Sequence, residues 1–450
     1  MDYQRTLDEE FCRTAFQNLN DENNVEVHLP LACQPVHTVY GGAHLFKAET
    51  INKLNSIANV NFERYISDAS ELAEAFEIEE ELATKIFPRV FAKLVSGAIE
   101  DYRIDFEDGY GYRADHEEDA HAINAANETY RAMQQNLLPP FFGIRVKSLS
   151  REAKFRSVRT LDLYITKLAE LSNKILPDNF VITLPKVTSP NEIKAFVELL
   201  TALEIKVALN SNALGLEFLI ETSSAFFNSS GEFTLPNLLD AAQGRCKSIH
   251  FGAYDYTANL GIAAHHQDIR HPACEMARQL MLMAYADKNV RLVDGVTTTL
   301  PIEKFKHSHE LTPEQLSENR RIIFRAWKLH FDNIQHSMKC GFYQSWDLHP
   351  AQFIPRYVAT YAFFLSSIDA ASVRLQNFIQ KSAQASLVGD VFDDLASGLG
   401  LMNFFVRALH CGAITEEEAV KYSSLSLEQL ISPATLSSTF ADQTKTEVRY

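Results

Sequence analysis

Hydrophobic and polar positions divide the chain into two kinds of segment that alternate. Short segments rich in β-branched and aromatic residues recur eight times, and most are followed by a polar or glycine-containing turn. This pattern predicts eight buried β-strands, at residues 35–42, 102–109, 141–147, 180–187, 214–222, 248–255, 289–295 and 343–350. Longer segments with helical patterns lie between them, at 152–173, 191–204, 272–288 and 313–340.

The alternation of strands and helices indicates the fold class. The helix at 313–340 has a clear start, with Thr312 as N-cap, Pro313 at the first helical position and Gln315 at the third. Eight such units, with strands apolar on both faces, predict an α/β TIM (β/α)8 barrel rather than an open doubly wound sheet. We expect a catalytic barrel domain over residues 1–370, with a helical insertion at about 55–97, and a helical C-terminal extension over 371–450.

Composition narrows the classes of partner. The chain has 42 Lys+Arg and 58 Asp+Glu, a net charge of −16, which argues against nucleic acid or an anionic membrane as partner and favours a small substrate. Six cysteines are scattered without C-x-x-C spacing, as expected of reduced thiols. The first residues are acidic, and no apolar run approaches the roughly 18 residues of a membrane span. We therefore expect a cytoplasmic protein.

The turn after the second predicted strand carries two conflicting signals. Gly109, Gly111 and Ala114 form a G-x-G-x-x-A pattern, which is typical of dinucleotide binding. Glu107 and Asp108 directly precede the turn, and more acids follow it, so a pyrophosphate there would meet strong like-charge repulsion. We reject the dinucleotide interpretation and expect the glycines to let the chain turn sharply beneath a site.

Polar residues collect where the predicted strands end. In a barrel of this type the catalytic groups lie at the C-terminal ends of the strands. The polar residues at these ends are Asp105, Glu107, Asp108, Arg145, Lys147, Lys186, Glu221, Asp255, Asp347 and His349. Glu221 and Asp255 each follow an apolar run, where an ionised carboxylate needs a compensating cation. That cation is either Mg²⁺, which favours carboxylate oxygens, or a barrel lysine such as Lys186.

Seven short segments are informative because of their residues and their order along the chain. In that order they are YGGAHLFKAETINK, IDFEDGYG, GIRVKS, ITLPKV, LIETSSAFFN, IHFGAYDYTANLG, and NVRLVDGV with GFYQSWDLHPAQ. Together they resemble the HpcH/HpaI aldolase and citrate lyase beta subunit family, a relative of malate synthase and malyl-CoA lyase in the pyruvate/phosphoenolpyruvate barrel superfamily. Two positions depart from the family pattern: Lys147 replaces an asparagine, and Asn259 replaces an acid.

The resemblance implies a set of site residues. It makes Glu221 and Asp255 the ligands of a Mg²⁺ cofactor, and Arg145 the cation that faces the reacting oxygen. It also implies Asp105 and Asp108 as supporting catalytic acids and Lys186 as a residue near the substrate. The backbone N–H groups that would bind the carboxylate of a 2-oxo acid belong to Ala253, Tyr254 and Asp255.

These implications agree with the chemistry of 2-oxo acids. Mg²⁺ polarises the carbonyl of such an acid, and the permanently charged guanidinium of Arg145 stabilises the negative charge that develops when a C–C bond breaks or forms. We expect a Mg²⁺-dependent carbon–carbon lyase, aldolase or condensing enzyme acting on pyruvate, glyoxylate or oxaloacetate, with or without an acyl-CoA partner. The alternatives are phosphoryl transfer on a pyruvate or phosphoenolpyruvate scaffold, and an oxo-acid binding protein without catalysis. The family commonly forms homo-oligomers, trimers or hexamers.

Two further features carry alternative interpretations. Basic residues after the third strand form either a groove for a CoA phosphate or, as we favour, a helix face; they are Arg151, Lys154, Arg156 and Arg159. Three tail aspartates, Asp390, Asp393 and Asp394, either complement a helix dipole or belong to a tail that covers the barrel mouth and supplies a general base. His265, His266 and His271 are expected to lie in a solvated loop, and His349 to brace its turn.

Overall fold

The structure is a computed structural model that describes residues 34–306, 311–380, 386–388, 391–393 and 395–431. Eight parallel strands close into a barrel in chain order, which confirms the predicted fold class. The strands are β1 (His37–Gly42), β2 (Asp101–Asp105), β3 (Phe141–Arg145), β4 (Phe180–Leu184), β5 (Gly215–Ile220), β6 (Cys246–Phe251), β7 (Arg291–Val296) and β8 (Gln344–Asp347). All eight predicted strands are confirmed, and each observed strand lies within three residues of its predicted limits at the N-terminal end.

The helices cover the outside of the barrel and extend it at two places. They are α1 (Thr50–Tyr65), α2 (Ala69–Phe76), α3 (Glu80–Gly97), α4 (Asp115–Gln134), α5 (Lys154–Leu171), α6 (Pro190–Val207), α7 (Ser223–Phe226), α8 (Leu235–Ala241), α9 (Ala253–Asn259), α10 (Pro272–Tyr285), α11 (Pro313–Lys339), α12 (Phe353–Leu365), α13 (Ile368–Gln380), α14 (Leu395–His410), α15 (Glu416–Ser423) and α16 (Leu427–Ile431).

The start predicted for α11 is confirmed. Thr312 Oγ1 accepts the N–H of Gln315 at 3.3 Å, and the side chain of Gln315 accepts the N–H of Thr312 at 3.0 Å. The two bonds satisfy backbone donors that have no partner inside the helix, and Pro313 stands where a missing N–H costs nothing. The cap therefore fixes where this 27-residue helix begins.

The predicted insertion after β1 is a three-helix layer, α1 to α3, that packs against α11 and α12. Its apolar face buries Tyr65 and Phe76, and the ring of Phe76 stacks on Trp327 of α11 with centroids 6.0 Å apart. Stacked aromatic rings at such separations stabilise a core beyond the area they bury. The insertion therefore contributes to the hydrophobic core between the helices outside the barrel strands.

The barrel interior holds a buried ion network that the apolar strand pattern did not predict. Arg103 is fully buried and donates from Nε to Glu217 at 2.7 Å, and it also pairs with Asp101. Ser248 donates to Glu217 at 2.7 Å, and Thr183 donates to the same carboxylate. Burial alone would raise the pKa of Glu217, but Arg103 and the other donors hold it well below its ordinary value. The network fills the barrel centre with charged groups that are hydrogen-bonded to one another.

After the barrel, the chain continues into α13, a short hairpin of β9 (Ser386–Val388) and β10 (Val391–Asp393), and α14 to α16. The guanidinium of Arg407 in α14 lies 3.9 Å from the ring centroid of Tyr343, and Phe404 packs edge-on against Phe364 of α12. The expected helical extension is therefore confirmed, and its division from the barrel at residue 371 stays a prediction. Within the described residues, every helix is too short or too polar to cross a membrane.

Candidate functional site

The ends of β2 and β3 place Arg145 in a fixed orientation. Asp105 and Arg145 are opposite each other in the strand register, and both are buried. Arg145 donates from Nε to Asp105 Oδ1 at 2.7 Å and from Nη2 to Asp105 Oδ2 at 2.6 Å. This two-point contact leaves Nη1 to point towards Asp108 and Glu107, each at 3.2 Å. The carboxylates hold the pKa of Arg145 well above its ordinary value, against the effect of burial.

Asp105 is itself fixed by the turn that follows it. Its two oxygens accept the N–H groups of Glu107 at 2.9 Å and Gly109 at 2.7 Å. A Cβ atom at Gly109 would lie 2.7 Å from Asp105 Oδ2, so only glycine lets the backbone approach this closely. The turn that carries the dinucleotide-like pattern therefore holds a carboxylate and lies in a closed barrel, as our rejection of the dinucleotide interpretation requires.

Two aromatic side chains that we did not single out as site residues pack against the guanidinium of Arg145. The guanidinium carbon of Arg145 lies 4.7 Å from the ring centroid of Tyr40 and 5.8 Å from that of Trp346. Trp346 donates to His250 Nδ1 at 2.8 Å, and Tyr40 OH lies 3.4 Å from the same atom. The rings stabilise the cation and exclude water from one of its faces. The only sequence signal for them was their place in β1 and β8.

Lys186 connects the acidic turn to the end of β5. Its φ of +54° puts a non-glycine residue in the left-handed region, and its N–H donates to Glu221 Oε1 at 2.6 Å. Its ammonium group pairs with Glu107 and lies 3.2 Å from Asp108 and 3.9 Å from Asp255. Burial would lower the pKa of Lys186, but the surrounding carboxylates raise it above its ordinary value. The side chain is therefore a cation that bridges several acids.

Glu221 is a buried carboxylate with little compensation. It follows β5 directly, is 2 % exposed, and receives one hydrogen bond in the part of the chain that the structure describes, from the N–H of Lys186. Burial and the negative charge of Asp255 raise the pKa of Glu221 to about 8, although Lys186 acts in the opposite direction. A Cβ at Gly252 would lie 2.3 Å from Glu221 Oε2, so glycine is needed there to make room for the carboxylate. Such a group binds either a proton or a cation.

Asp255 lies in the first turn of α9, next to three backbone donors. The first hydrogen bond of this helix runs from Tyr256 N to Gly252 O, and its N-cap has no side-chain acceptor. The N–H groups of Ala253, Tyr254 and Asp255 are therefore without an acceptor within the described residues, as the first turn of a helix requires. They are suited to an anionic oxygen, and Asp255, about half exposed, is accessible beside them.

The charges at the barrel mouth do not balance. Five carboxylates, those of Asp105, Glu107, Asp108, Glu221 and Asp255, face the two cations Arg145 and Lys186, so full ionisation leaves 5 − 2 = 3 negative charges in excess. Burial and Asp108 raise the pKa of Glu107 to about 7, despite the opposing charge of Arg145. Among the described residues, Glu107 Oε2 also has no hydrogen-bond donor, although it lies 3.2 Å from Arg145 Nη1. This field favours a bound cation.

The two departures from the family pattern have structural explanations. Lys147 turns away from Arg145 and pairs with the buried Glu118 of α4 at 2.9 Å, and it donates to Phe106 O at 2.6 Å. Asn259 Oδ1 accepts the N–H of Ser223 at 2.9 Å, which ties α9 to the start of α7. Neither residue joins the acidic cluster around Lys186.

A groove of about 1130 Å³ opens beside Lys186 and Thr222, between α5 and α6. Its apolar wall includes Leu149, Phe155, Val158 and Leu199. Arg156 and Arg159 pair with Asp119 of α4, which supports the helix-face interpretation for Arg156, whereas Arg159 also lines the groove. Lys154 lines the groove, where its ammonium group lies 5.3 Å from the ring of Phe155.

The remaining candidates have structural roles or fall outside the description. His271 Nδ1 accepts the N–H of Ala273 and so caps α10, while His265 and His266 are exposed. His349 Nδ1 accepts the N–H of Ala351 at 3.2 Å and braces its turn, as predicted. Asp390 and Asp394, and the side chain of Asp393, lie outside the described residues, so the general-base hypothesis for the tail stays untested.

Comparison with known proteins gives a family and a fold. The family described as "Domain of unknown function (DUF6986)" matches residues 30–437. No curated protein sequence matches the chain. A citrate lyase from Burkholderia xenovorans LB400 is similar in structure, with a TM-score of 0.58 and 16 % identity over 88 % of this chain and 98 % of that one. At this identity the likeness confirms the barrel fold, and it agrees with the resemblance drawn from the seven segments.

Two further structures align at lower scores. The protein CitE from Mycobacterium tuberculosis, in complex with magnesium, acetoacetate and coenzyme A, has a TM-score of 0.47 and 15 % identity over 84 % of this chain and 98 % of that one. A malate synthase from Haloferax volcanii, studied at 3 mM glyoxylate, has a TM-score of 0.45 and 14 % identity over 89 % of this chain and 96 % of that one.

Proposed function

The chain belongs to the family described as "Domain of unknown function (DUF6986)", and on that premise we propose that its barrel mouth catalyses the Mg²⁺-dependent cleavage or formation of a carbon–carbon bond next to a 2-oxo acid. Pyruvate, glyoxylate and oxaloacetate are the candidate substrates. The observation that carries the proposal is Glu221, a buried carboxylate with one hydrogen bond, next to Asp255 and within the same cluster as Arg145. The shared fold with a citrate lyase supports this reaction class.

The donor set suits magnesium. Glu221 and Asp255 would hold the ion, since Mg²⁺ is usually bound by one or two carboxylates and completes its shell with water and substrate oxygens. Lys186 does not remove the need for a cation, because its ammonium group lies 3.9 Å from Asp255 and pairs more closely with Glu107. When bound, Mg²⁺ would act as a Lewis acid towards the carbonyl of the 2-oxo acid.

Arg145 would stabilise the negative charge that develops on the oxo oxygen. Its orientation is set before substrate binds, by two hydrogen bonds to Asp105 below 2.8 Å and by the rings of Tyr40 and Trp346. A donor fixed in this way stabilises charge without reorganising during the reaction, which is the larger part of its catalytic value. Asp108, which is half exposed and 3.2 Å from Arg145 Nη1, is the neighbour that a substrate oxygen can most readily displace.

The substrate carboxylate would bind at the start of α9. The N–H groups of Ala253, Tyr254 and Asp255 are the donors, and Lys186 adds positive charge nearby. In this arrangement the carboxylate and the oxo group of the substrate lie between the acidic ligands and Arg145. The site would bind a 2-oxo acid in preference to a simple carboxylate. Only the 2-oxo acid has an oxo oxygen that can contact both Mg²⁺ and Arg145.

An acyl-CoA thioester is the second substrate that the groove beside Lys186 favours. The groove is large and mainly apolar, and Lys154 lines it and is available to a phosphate group. The groove reaches Thr222, which follows Glu221, so an acyl group bound there would approach the metal ligands. A trimeric or hexameric homo-oligomer, which rests on the resemblance, and a cytoplasmic location, which rests on the composition, belong to the same proposal.

Calorimetry followed by product analysis tests the proposal. The protein is titrated with Mg²⁺, then with pyruvate, glyoxylate or oxaloacetate, and each mixture is incubated with and without acetyl-CoA before products are separated. We expect the wild type to bind a 2-oxo acid only in the presence of Mg²⁺, and to form a product with a changed number of carbon atoms. Glu221→Gln should bind neither Mg²⁺ nor the 2-oxo acid. Binding without product would support the non-catalytic alternative. Equal binding by the wild type and Glu221→Gln would contradict the site assignment.

A further inference from the structure

A second group of metal-ligating side chains lies on the outside of the barrel, between α10 and α11. Glu275 lies in the first turn of α10, and His336 and Cys340 are one helical turn apart at the end of α11. Residues four positions apart lie on the same face of a helix, so the imidazole and the thiol both face α10. In the described part of the chain, no other three His, Cys, Asp or Glu residues come close enough to share an ion.

The distances within this group are close to those of a tetrahedral zinc site. Cys340 Sγ lies 3.8 Å from Glu275 Oε2 and 3.7 Å from His336 Nε2, and His336 Nε2 lies 2.6 Å from Glu275 Oε1. The bond lengths of tetrahedral Zn²⁺ place sulfur about 3.6 Å from nitrogen or oxygen, and nitrogen about 3.4 Å from oxygen. Because the sulfur contacts Oε2 and the imidazole contacts Oε1, an ion would be held by both carboxylate oxygens, or by one of them after a small rotation of Glu275, and the His336–Glu275 separation would widen.

The cation next to this group is already neutralised. Arg278 is fully buried and lies 3.3 Å from both oxygens of Asp294, which is also fully buried. It donates its Nη2 to Glu275 Oε1, and the same nitrogen lies 3.5 Å from His336 Nε2, so Arg278 fixes the carboxylate next to the imidazole. Outer donors of this kind commonly fix the carboxylate ligands of a metal. Because Arg278 and Asp294 cancel, a divalent ion with the Glu275 carboxylate and the Cys340 thiolate gives a neutral site.

One coordination position remains for water. The side chains of Glu275 and His336 are 33 % and 32 % exposed, and Cys340 is half-buried. Cys340 would bind the ion as a thiolate, the form that coordinates, so binding would release the thiol proton.

We propose that Glu275, His336 and Cys340 form a site for a zinc-class divalent ion, separate from the acidic cluster at the barrel mouth. A nitrogen, a sulfur and an oxygen ligand favour Zn²⁺ over Mg²⁺, which prefers oxygen alone. The ion would join the start of α10 to the end of α11 and stabilise the outer wall behind β7. This site is independent of the proposed reaction and of its Mg²⁺ ligands.

Cobalt substitution tests the proposal directly. The full-length protein is freed of metal with a chelator under reducing conditions and titrated with Co²⁺ while the ultraviolet and visible spectrum is recorded. We expect one equivalent of Co²⁺ to produce a thiolate-to-cobalt charge-transfer band, which Zn²⁺ then removes by displacement. Cobalt bound at Glu221 and Asp255 cannot give this band, because that site contains no sulfur.

Matched variants complete the test. Cys340→Ser should abolish the band, and His336→Gln should weaken Co²⁺ and Zn²⁺ binding by about 100-fold or more. The controls Cys411→Ser and His266→Gln, which change a buried thiol and an exposed imidazole elsewhere, should leave both unchanged. Absence of the band in the wild type, or a band that persists in Cys340→Ser, would overturn the proposal. Should Cys340→Ser fold poorly, His336→Gln alone decides the outcome.

Discussion

Arg145 and Asp105 form a two-point ion pair in which Nε and Nη2 of the guanidinium lie 2.7 and 2.6 Å from the two carboxylate oxygens. Both side chains are buried, so the pair fixes the direction in which the remaining nitrogen points. In the proposed reaction, Asp105 would act by orienting Arg145 and not by touching the substrate.

Asp105→Asn should therefore lower kcat by about 10- to 100-fold, while KM for the 2-oxo acid changes much less. The amide cannot accept both guanidinium donors, and Arg145 would then turn towards Asp108. Asp108→Asn is the control, because Asp108 makes a single, half-exposed contact with Arg145 at 3.2 Å and should have a smaller effect. Steady-state kinetics of the two variants test this expectation. A larger loss of kcat in Asp108→Asn than in Asp105→Asn would contradict this role for Asp105.

Tyr40 should matter through its ring rather than its hydroxyl. Tyr40→Leu removes the aromatic face 4.7 Å below the Arg145 guanidinium and should lower kcat/KM by about 5- to 30-fold. Tyr40→Phe keeps that face and loses only a 3.4 Å contact with His250, so its kcat/KM should stay within about twofold of the wild type. Equal losses in both variants would show that the hydroxyl is the important group.

Mg²⁺ binding should depend on pH through Glu221. The pKa of this carboxyl is raised to about 8 by burial and by Asp255, so below pH 8 an ion must displace a proton. The apparent affinity for Mg²⁺ should rise from pH 6 to pH 8 and level off above it. Calorimetry in buffers of different ionisation enthalpy should detect up to about one proton released per ion at pH 6.5.

The same pKa predicts how the metal-free protein responds to pH. Between the ordinary glutamate pKa and 8, the folded state holds a proton at Glu221 that the unfolded chain has lost, so the free energy of unfolding falls as pH rises through this window. Glu221→Gln should reduce that decline, leaving the part that comes from Glu107, whose pKa is raised to about 7, and should be more stable than the wild type at pH 8 without Mg²⁺. Denaturant unfolding at pH 5.5 and pH 8 measures the free energy of unfolding of both proteins. A decline of equal size in the variant and the wild type would exclude Glu221 as the source of the decline.

The groove beside Lys186 should affect only the thioester substrate. Phe155 is 81 % exposed and lines the groove, so Phe155→Ser should raise KM for acetyl-CoA several-fold and leave folding and 2-oxo acid binding unchanged. Met283→Ser, which changes an apolar side chain 80 % exposed on α10, is the matched control. An unchanged KM in Phe155→Ser would place the second substrate elsewhere.

The barrel could be predicted because its signal is local. Each strand is a short apolar run bounded by turn residues, and the start of α11 is encoded within four residues of Thr312. Polar residues marked the ends of the strands in the sequence, and this pattern predicted that Arg145 and Glu221 lie at the barrel mouth. The burial of Glu221 and its proximity to Asp255 could only be expected, since the two residues follow different strands.

Contacts across the barrel could not be read from the chain. Arg103 and Glu217 are 114 positions apart, each within a run of apolar neighbours, and nothing local shows that their side chains pair in the interior. The contact of Tyr40 and Trp346 with Arg145 could not be predicted for the same reason, because a ring beneath a guanidinium and a ring in a core have the same sequence pattern. Cys340 and His336 are regularly spaced on α11, but their third partner, Glu275, lies on another helix.

The most direct test of the central claim is a crystal structure of the protein grown with Mg²⁺ and a 2-oxo acid such as pyruvate. The account predicts an ion about 2.1 Å from carboxylate oxygens of both Glu221 and Asp255, with the oxo oxygen between that ion and Arg145 and the substrate carboxylate at the start of α9. An ion bound elsewhere, or Glu221 and Asp255 neutralised by Lys186 with the substrate outside the barrel mouth, would contradict it.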